Sequence, residues 1–152
     1  MLQMNPSCHD APALHAQRHR ILIIDDNSFF SFCLRTLIDR EEELAVCDVA
    51  ASEEDLLERI QHYHPDLLVI DLSVGRQGGY DVACKLRRAG ISTPVLFVST
   101  THPLPRRYLE QVPGADFACK GGNPRLLIAQ IKTLVRRAAA PASWAPGVTA
   151  VA

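Results

Sequence analysis

A chain of 152 residues has room for one compact domain, and 47% hydrophobic against 22% charged residues is an ordinary globular balance that excludes wholesale disorder. Sixteen Lys and Arg against seventeen Asp and Glu leave a formal charge of −1, so no one-signed field draws nucleic acid or a membrane surface to it. The five cysteines, Cys8, Cys33, Cys47, Cys84 and Cys119, are odd in number and never closely paired, which argues against zinc or dithiol chemistry and for a reducing cytoplasm.

Taken in chain order, residues 1–19 mix Pro, His and Gln without periodicity and read as a flexible extension. They hold no basic cluster ahead of an apolar stretch, and the longest wholly apolar run in the chain is four residues, far short of a membrane span. Ile21 to Ile24 is an aliphatic run closed by acids, as a strand buried on both faces requires. Phe30, Cys33, Leu34, Leu37 and Ile38 follow at steps of three and four, one stripe of an amphipathic helix. Leu44 to Val49 reads as a second strand. Ser52 and Asp55 read as a capping box opening a helix that buries Leu56, Leu57, Ile60 and Tyr63 and is stopped by Pro65.

Leu67 to Ile70 is the third buried run, followed by a loop with Gly75, Gly78 and Gly79 and a helix carrying Val82 and Leu86 as far as Gly90. Val95 to Val98 is a fourth strand. Pro103 and Pro105 confine the next helix to a short stretch before Pro113 and Gly114. Phe117 to Cys119 makes a fifth strand. Asn123 as cap, Pro124 in the first position and Leu127, Ile131, Leu134 and Val135 on one face define the last helix. Residues 138–152 are Ala- and Pro-rich and read as a flexible tail in which Trp144 is a lone solvated aromatic. Cys33, Cys84 and Cys119 lie in apolar patterns and are expected as buried free thiols.

Strands alternating with helices imply a parallel sheet with helical crossovers, a doubly wound α/β domain over 20–137. Ligands of such sheets collect beyond the carboxyl ends of the strands. The residues leaving those ends are Asp25 and Asp26, Asp71, Ser99 and Lys120. Two carboxylates 4 Å apart repel by roughly 4 kcal/mol at an effective dielectric near 20, so three together call for a counter-ion, and Mg²⁺ suits carboxylate and phosphate oxygens. A carboxylate beside such an ion can attack a phosphoryl donor. Asp71, alone at the end of a central strand, is the best nucleophile, with Ser99 and Lys120 placed to bind phosphoryl oxygens. Singly, these residues have plainer readings: Asp25 and Asp26 as a turn and helix cap, Lys120 as a solvated charge, Ser99 as uninformative. Their conjunction carries the inference.

RILIIDDN (Arg20 to Asn27), HPDLLVIDLSVGRQGG (His64 to Gly79), PVLFVST (Pro94 to Thr100) and GADFACK (Gly114 to Lys120) resemble, in order, the motifs of the receiver domain of two-component response regulators. The resemblance covers about Arg20 to Arg137 and implies a flavodoxin-like five-stranded sheet of order 2-1-3-4-5 with five helices. It implies that Asp71 accepts phosphate from a sensor histidine kinase or histidine phosphotransfer protein. Asp25, Asp26, Asp71 and the main-chain carbonyl of Ser73 would bind Mg²⁺. Ser99 and Lys120 would contact the phosphoryl group, and Phe117 would be the aromatic switch.

The sequence departs from the family pattern at Val74-Gly75, where Met-Pro is common, and at Lys120-Gly121, where Lys-Pro is usual. One residue is missing before Phe117, and the fourth helix carries extra prolines. Thr100 follows the switch hydroxyl and is expected to crowd the phosphate and slow its hydrolysis. About fifteen residues after Arg137 leave no room for an output domain, so a single-domain regulator acting by protein contact is expected, with a homodimer left open. The alternative is a pseudo-receiver that keeps the fold as an interaction surface. An enzyme acting on other substrates is disfavoured: a phosphatase of the aspartate type needs an acid two residues past Asp71, where Ser73 stands, and Asp25-Asp26 would repel a dinucleotide's phosphates. His62 and His64 lack further ligands and read as a solvated helix end.

Overall fold

A computed structural model describes residues 17–101 and 103–140. The expected flexible stretches lie outside the described residues except at their inner margins, and Trp144 and Cys8 fall outside them too. Strands β1 (His19–Ile24), β2 (Leu44–Ala50), β3 (Leu67–Asp71), β4 (Val95–Ser99) and β5 (Ala115–Cys119) alternate with helices α1 (Ser28–Asp39), α2 (Leu56–Tyr63), α3 (Gly79–Arg88), α4 (Arg106–Glu110) and α5 (Pro124–Ala139). The strands form one sheet of order β2-β1-β3-β4-β5, every neighbouring pair parallel, as the flavodoxin-like reading expects. No described helix is long and apolar enough to cross a membrane.

Alternation along the strands splits the core into two layers. Ile21, Ile23, Leu67, Val69, Leu96, Val98 and Ala118 pack with Leu34 and Ile38 of α1 and Leu127, Ile131 and Val135 of α5. Leu22, Ile24, Leu68, Ile70, Val95 and Phe97 pack with α2, α3 and the α4 region on the other face. The central strands are buried on both sides, which is why they read as unbroken aliphatic runs. Asn27 caps α1 by accepting the Phe30 N–H at 3.0 Å, and Asn123 caps α5 by accepting the Arg125 N–H at 2.9 Å.

Gly79 lets α3 start directly against the end of β3. A Cβ there would stand 2.1 Å from the Asp71 carbonyl oxygen, while its own N–H donates to the Leu72 carbonyl at 2.9 Å.

Several expectations need correction. The Ser52–Asp55 capping box does not form. Asp55 takes a left-handed φ of 57° and makes no side-chain cap hydrogen bond, and the Ser52 hydroxyl accepts the Glu54 N–H instead, at 3.3 Å. Helix α2 therefore opens at Leu56, and with only Leu56 and Ile60 buried, Leu57 stays 45% exposed and Tyr63 half-buried. Cys33 and Cys84 are half-buried, because each sits at the margin of its helix's buried stripe, and Cys119 is exposed at the end of an edge strand. Phe30 and Leu37 likewise only flank the core, whereas Ser31 takes a buried place on α1. The short α4 matches its proline-bounded stretch and buries none of its own residues.

Candidate functional site

The alternation that layers the core also assembles the site. Ile23, Val69 and Ala118 face α1 and α5, and two residues on along the same face stand Asp25, Asp71 and Lys120. Backbone hydrogen bonds hold these positions: the Asp25 N–H donates to Ala50 O at 2.9 Å, the Lys120 N–H to Ser99 O at 2.9 Å, and Asp71 pairs in register with Val98.

There Lys120 Nζ lies 2.6 Å from Asp25 Oδ2 and 3.1 Å from Asp71 Oδ1, with only 7% of its side chain exposed. The dull readings of these residues give way. Lys120 is no solvated charge, and the cap of α1 is Asn27, which leaves Asp26 exposed at the mouth of the pocket. Asp25 is shared between two tasks. Its Oδ1 accepts the Asn27 N–H at 2.8 Å, and its Oδ2 is buried beside Lys120 Nζ without a well-directed hydrogen bond. Burial pushes the Asp25 carboxyl above the usual carboxylate range. The close Lys120 ammonium and the Asn27 hydrogen bond oppose the shift, and the Asp71 charge adds to it.

Asp25, Asp26 and Asp71 each offer an oxygen within 4.8 Å of the others. Three carboxylates against one ammonium leave an excess of negative charge, and one buried carboxylate oxygen lacks a good donor. That all-oxygen set fits a small hard divalent ion such as Mg²⁺.

Other predicted residues lie around this centre. Ser99 is buried at the end of β4, on the face that alternation gives to Phe97, and its Oγ is 3.3 Å from both Thr101 Oγ1 and the Thr101 N–H nitrogen. Thr100 is exposed. Ser73 is exposed in the turn after β3, where the buried Val74 donates its N–H to Asp71 O at 3.3 Å. Phe117 is half-buried, in register with Phe97, and its carbonyl accepts from Gln130 Nε2 at 2.8 Å. Two neighbours escape a reading of the sequence for the site. Phe30 places its ring centroid 4.6 Å from Lys120 Nζ, although its spacing reports only a helix stripe. Thr101 holds the Ser99 hydroxyl, and its two-residue offset was the available signal.

Solved structures share this fold. The chain has a TM-score of 0.72 to a two-component response regulator of the LuxR family from Aurantimonas sp. SI85-9A1, at 21% identity over 80% of this chain and 87% of that one. It has a TM-score of 0.70 to the signal receiver domain of the putative response regulator NarL from Mycobacterium tuberculosis, at 21% identity over 79% and 98% of the two chains. Among curated proteins it is 29% identical over 124 residues to the probable transcriptional regulator ycf27 of Porphyridium aerugineum, covering 80% of this chain and 50% of that protein. It is 25% identical over 117 residues to the uncharacterized transcriptional regulatory protein YbdJ of Bacillus subtilis, covering 77% and 51%. The chain thus spans about half the length of these curated relatives. The response regulator receiver domain matches residues 21–132, which include all four acidic and basic groups of the pocket, and the chain belongs to that family.

Proposed function

We propose that this receiver domain takes a phosphoryl group onto Asp71 from a phosphohistidine of a sensor histidine kinase or histidine phosphotransfer protein, and signals by protein contact. The observation that carries the reading is the Lys120 ammonium bridging Asp25 and Asp71 in a pocket of three carboxylates. Two buried carboxylates, with a third exposed at the mouth, against one ammonium cost stability unless further cations are drawn to them.

Asp25, Asp26, Asp71 and the main-chain carbonyl of Ser73 would hold Mg²⁺. When bound, the ion supplies positive charge against the carboxylates and the incoming phosphoryl oxygens. A carboxylate oxygen of Asp71 attacks phosphorus while the P–N bond of the donor breaks. The electron pair of that bond stays on the imidazole nitrogen, and an aspartyl phosphate remains. Lys120, already 3.1 Å from Asp71, pairs with a phosphoryl oxygen. Ser99 turns from Thr101 to donate its hydroxyl to another, and Phe117 follows inward, so that charge at the pocket alters the α4 and β5 surface. Thr100 shields the phosphoryl group from water. Its removal as Thr100→Ala is expected to shorten the lifetime of the aspartyl phosphate.

Incubation with acetyl phosphate and Mg²⁺, or with beryllofluoride, tests the assignment. Intact-mass analysis should show one phosphoryl group on the wild type and none on Asp71→Asn. Uptake by both proteins refutes the acceptor, and uptake by neither supports a pseudo-receiver.

A further inference from the structure

The Lys120 backbone is tied to β4 by its N–H on Ser99 O at 2.9 Å, and its side chain is held separately, from within the pocket. Gly121 and Gly122 follow it, both exposed, and nothing lies within 4 Å of where a Cβ on Gly121 would stand. The turn is closed by the Gly122 N–H on Cys119 O at 3.1 Å, so what remains to be fixed is the course of the long Lys120 side chain. The ammonium is gripped from three sides: Asp25 Oδ2 at 2.6 Å, Asp71 Oδ1 at 3.1 Å, and the face of Phe30 at 4.6 Å from the ring centroid.

The backbone that carries this ring is tied to Asp25 through Asn27. Asp25 Oδ1 accepts the Asn27 N–H at 2.8 Å, and Asn27 Oδ1 accepts the Phe30 N–H at 3.0 Å. Asp25, Asn27, Phe30 and Lys120 therefore close a circuit in which each member locates the next.

We propose that Phe30 is a positioning residue for phosphoryl transfer: its ring face keeps the Lys120 ammonium over the pocket while the amine exchanges carboxylate partners for the phosphoryl oxygens. The role rests on the reading of Asp71 as phosphoacceptor. The two carboxylate contacts are ion pairs at fixed positions and must loosen as the amine turns. A cation over an aromatic face is held by the ring quadrupole with little demand on direction, so this contact persists through the exchange. The ring also keeps water from that side of the ammonium, which has three N–H donors to satisfy.

Phe30 flanks the α1–α5 core layer as well, so the competing account is that it merely fills space. Phe30→Leu and Phe30→Tyr separate the two, because leucine keeps apolar bulk without a π face and tyrosine keeps the face. Uptake from acetyl phosphate with Mg²⁺ is expected to slow about three- to tenfold in Phe30→Leu and to stay within about twofold of wild type in Phe30→Tyr. The chain has only three lysines, Lys85, Lys120 and Lys132, so the Lys120 ε-methylene protons can be assigned by NMR. They should be shifted upfield by the ring in wild type and Phe30→Tyr, and return to the ordinary lysine position in Phe30→Leu. A wild type that takes up no phosphoryl group sinks the acceptor reading and this role with it. Where the wild type does take it up, equal rates in the two variants, or unshifted Lys120 protons in the wild type, overturn the role of Phe30 alone.

Discussion

At the carboxyl ends of the strands three carboxylates, Asp25, Asp26 and Asp71, gather around one cation, Lys120, which pairs with Asp25 and Asp71, whereas at the amino ends two carboxylates, Glu41 and Glu43, face two cations, Lys132 and Arg136. The second cluster is open to water: Arg136 is 63% exposed, and its guanidinium reaches both Glu43 oxygens at 2.8 and 2.9 Å. Such exposed pairs add little, since solvent screens them and long side chains lose freedom in forming them. The first cluster is enclosed and uneven, so each charge there matters more and the set is poised to bind another cation. One end of the sheet spends charge on solubility and slight stability. The other concentrates it in a pocket whose oxygens can hold a divalent cation.

Removing the shared cation is the most severe way to test that contrast. Lys120→Met leaves three carboxylates with no counter-charge and should cost about 3 kcal/mol in urea unfolding without Mg²⁺, with part of the loss recovered when Mg²⁺ is added. Unchanged unfolding would mean that the amine is not the electrostatic keystone its distances imply. For the wild type, Mg²⁺ at ten times its Kd should add about 1.4 kcal/mol by linkage. Asp25→Asn should abolish most of that increment, while Glu43→Gln, at the far end of the sheet, should leave it intact.

The same contrast bears on what a bare sequence can disclose. Asp25, Asp71 and Lys120 were legible because aliphatic runs buried on both faces end abruptly in charge, and parallel topology brings those ends to one edge. Asn123 and Pro124 were legible because capping is local. Phe30 and Thr101 were not, since their partners lie in another element or depend on the path of a loop. Ser52 shows the limit even of local rules. Its spacing to Asp55 satisfies the capping pattern, but one left-handed residue diverts the chain. The exposed thiol of Cys119 follows from its place on an edge strand, which periodicity alone does not reveal.

A milder break acts on Asp25 alone. Because its carboxyl titrates above the usual range in the folded protein, the neutral form is favoured by folding. The stability that this group contributes is fully present below the unfolded-state pKa and is lost as pH rises through the folded one. In metal-free buffer Asp25→Asn should therefore unfold at higher denaturant than wild type at neutral pH, with the gap closing toward acid. A gap that stays constant with pH would show that the ion pair with Lys120 outweighs burial.

The smallest effect is expected at the balanced cluster, and there the sign reverses. Hydrogen bonds from Arg136 and then Lys132 hold the Glu43 carboxyl below its ordinary range. Its contribution to stability is present above the unfolded-state carboxylate pKa and disappears as pH falls through the folded one. Glu43→Gln should thus lower the unfolding midpoint slightly at neutral pH and not at all in acid, the opposite trend to Asp25→Asn. At 1 M salt, where the Debye length is about 3 Å, the neutral-pH difference should shrink toward zero. The Asp25→Asn difference should shrink much less, because the Lys120 and Asp25 side chains are 7% and 0% exposed and their interaction is weakly screened. Equal salt sensitivity in the two variants would remove the distinction between an enclosed site and a screened surface.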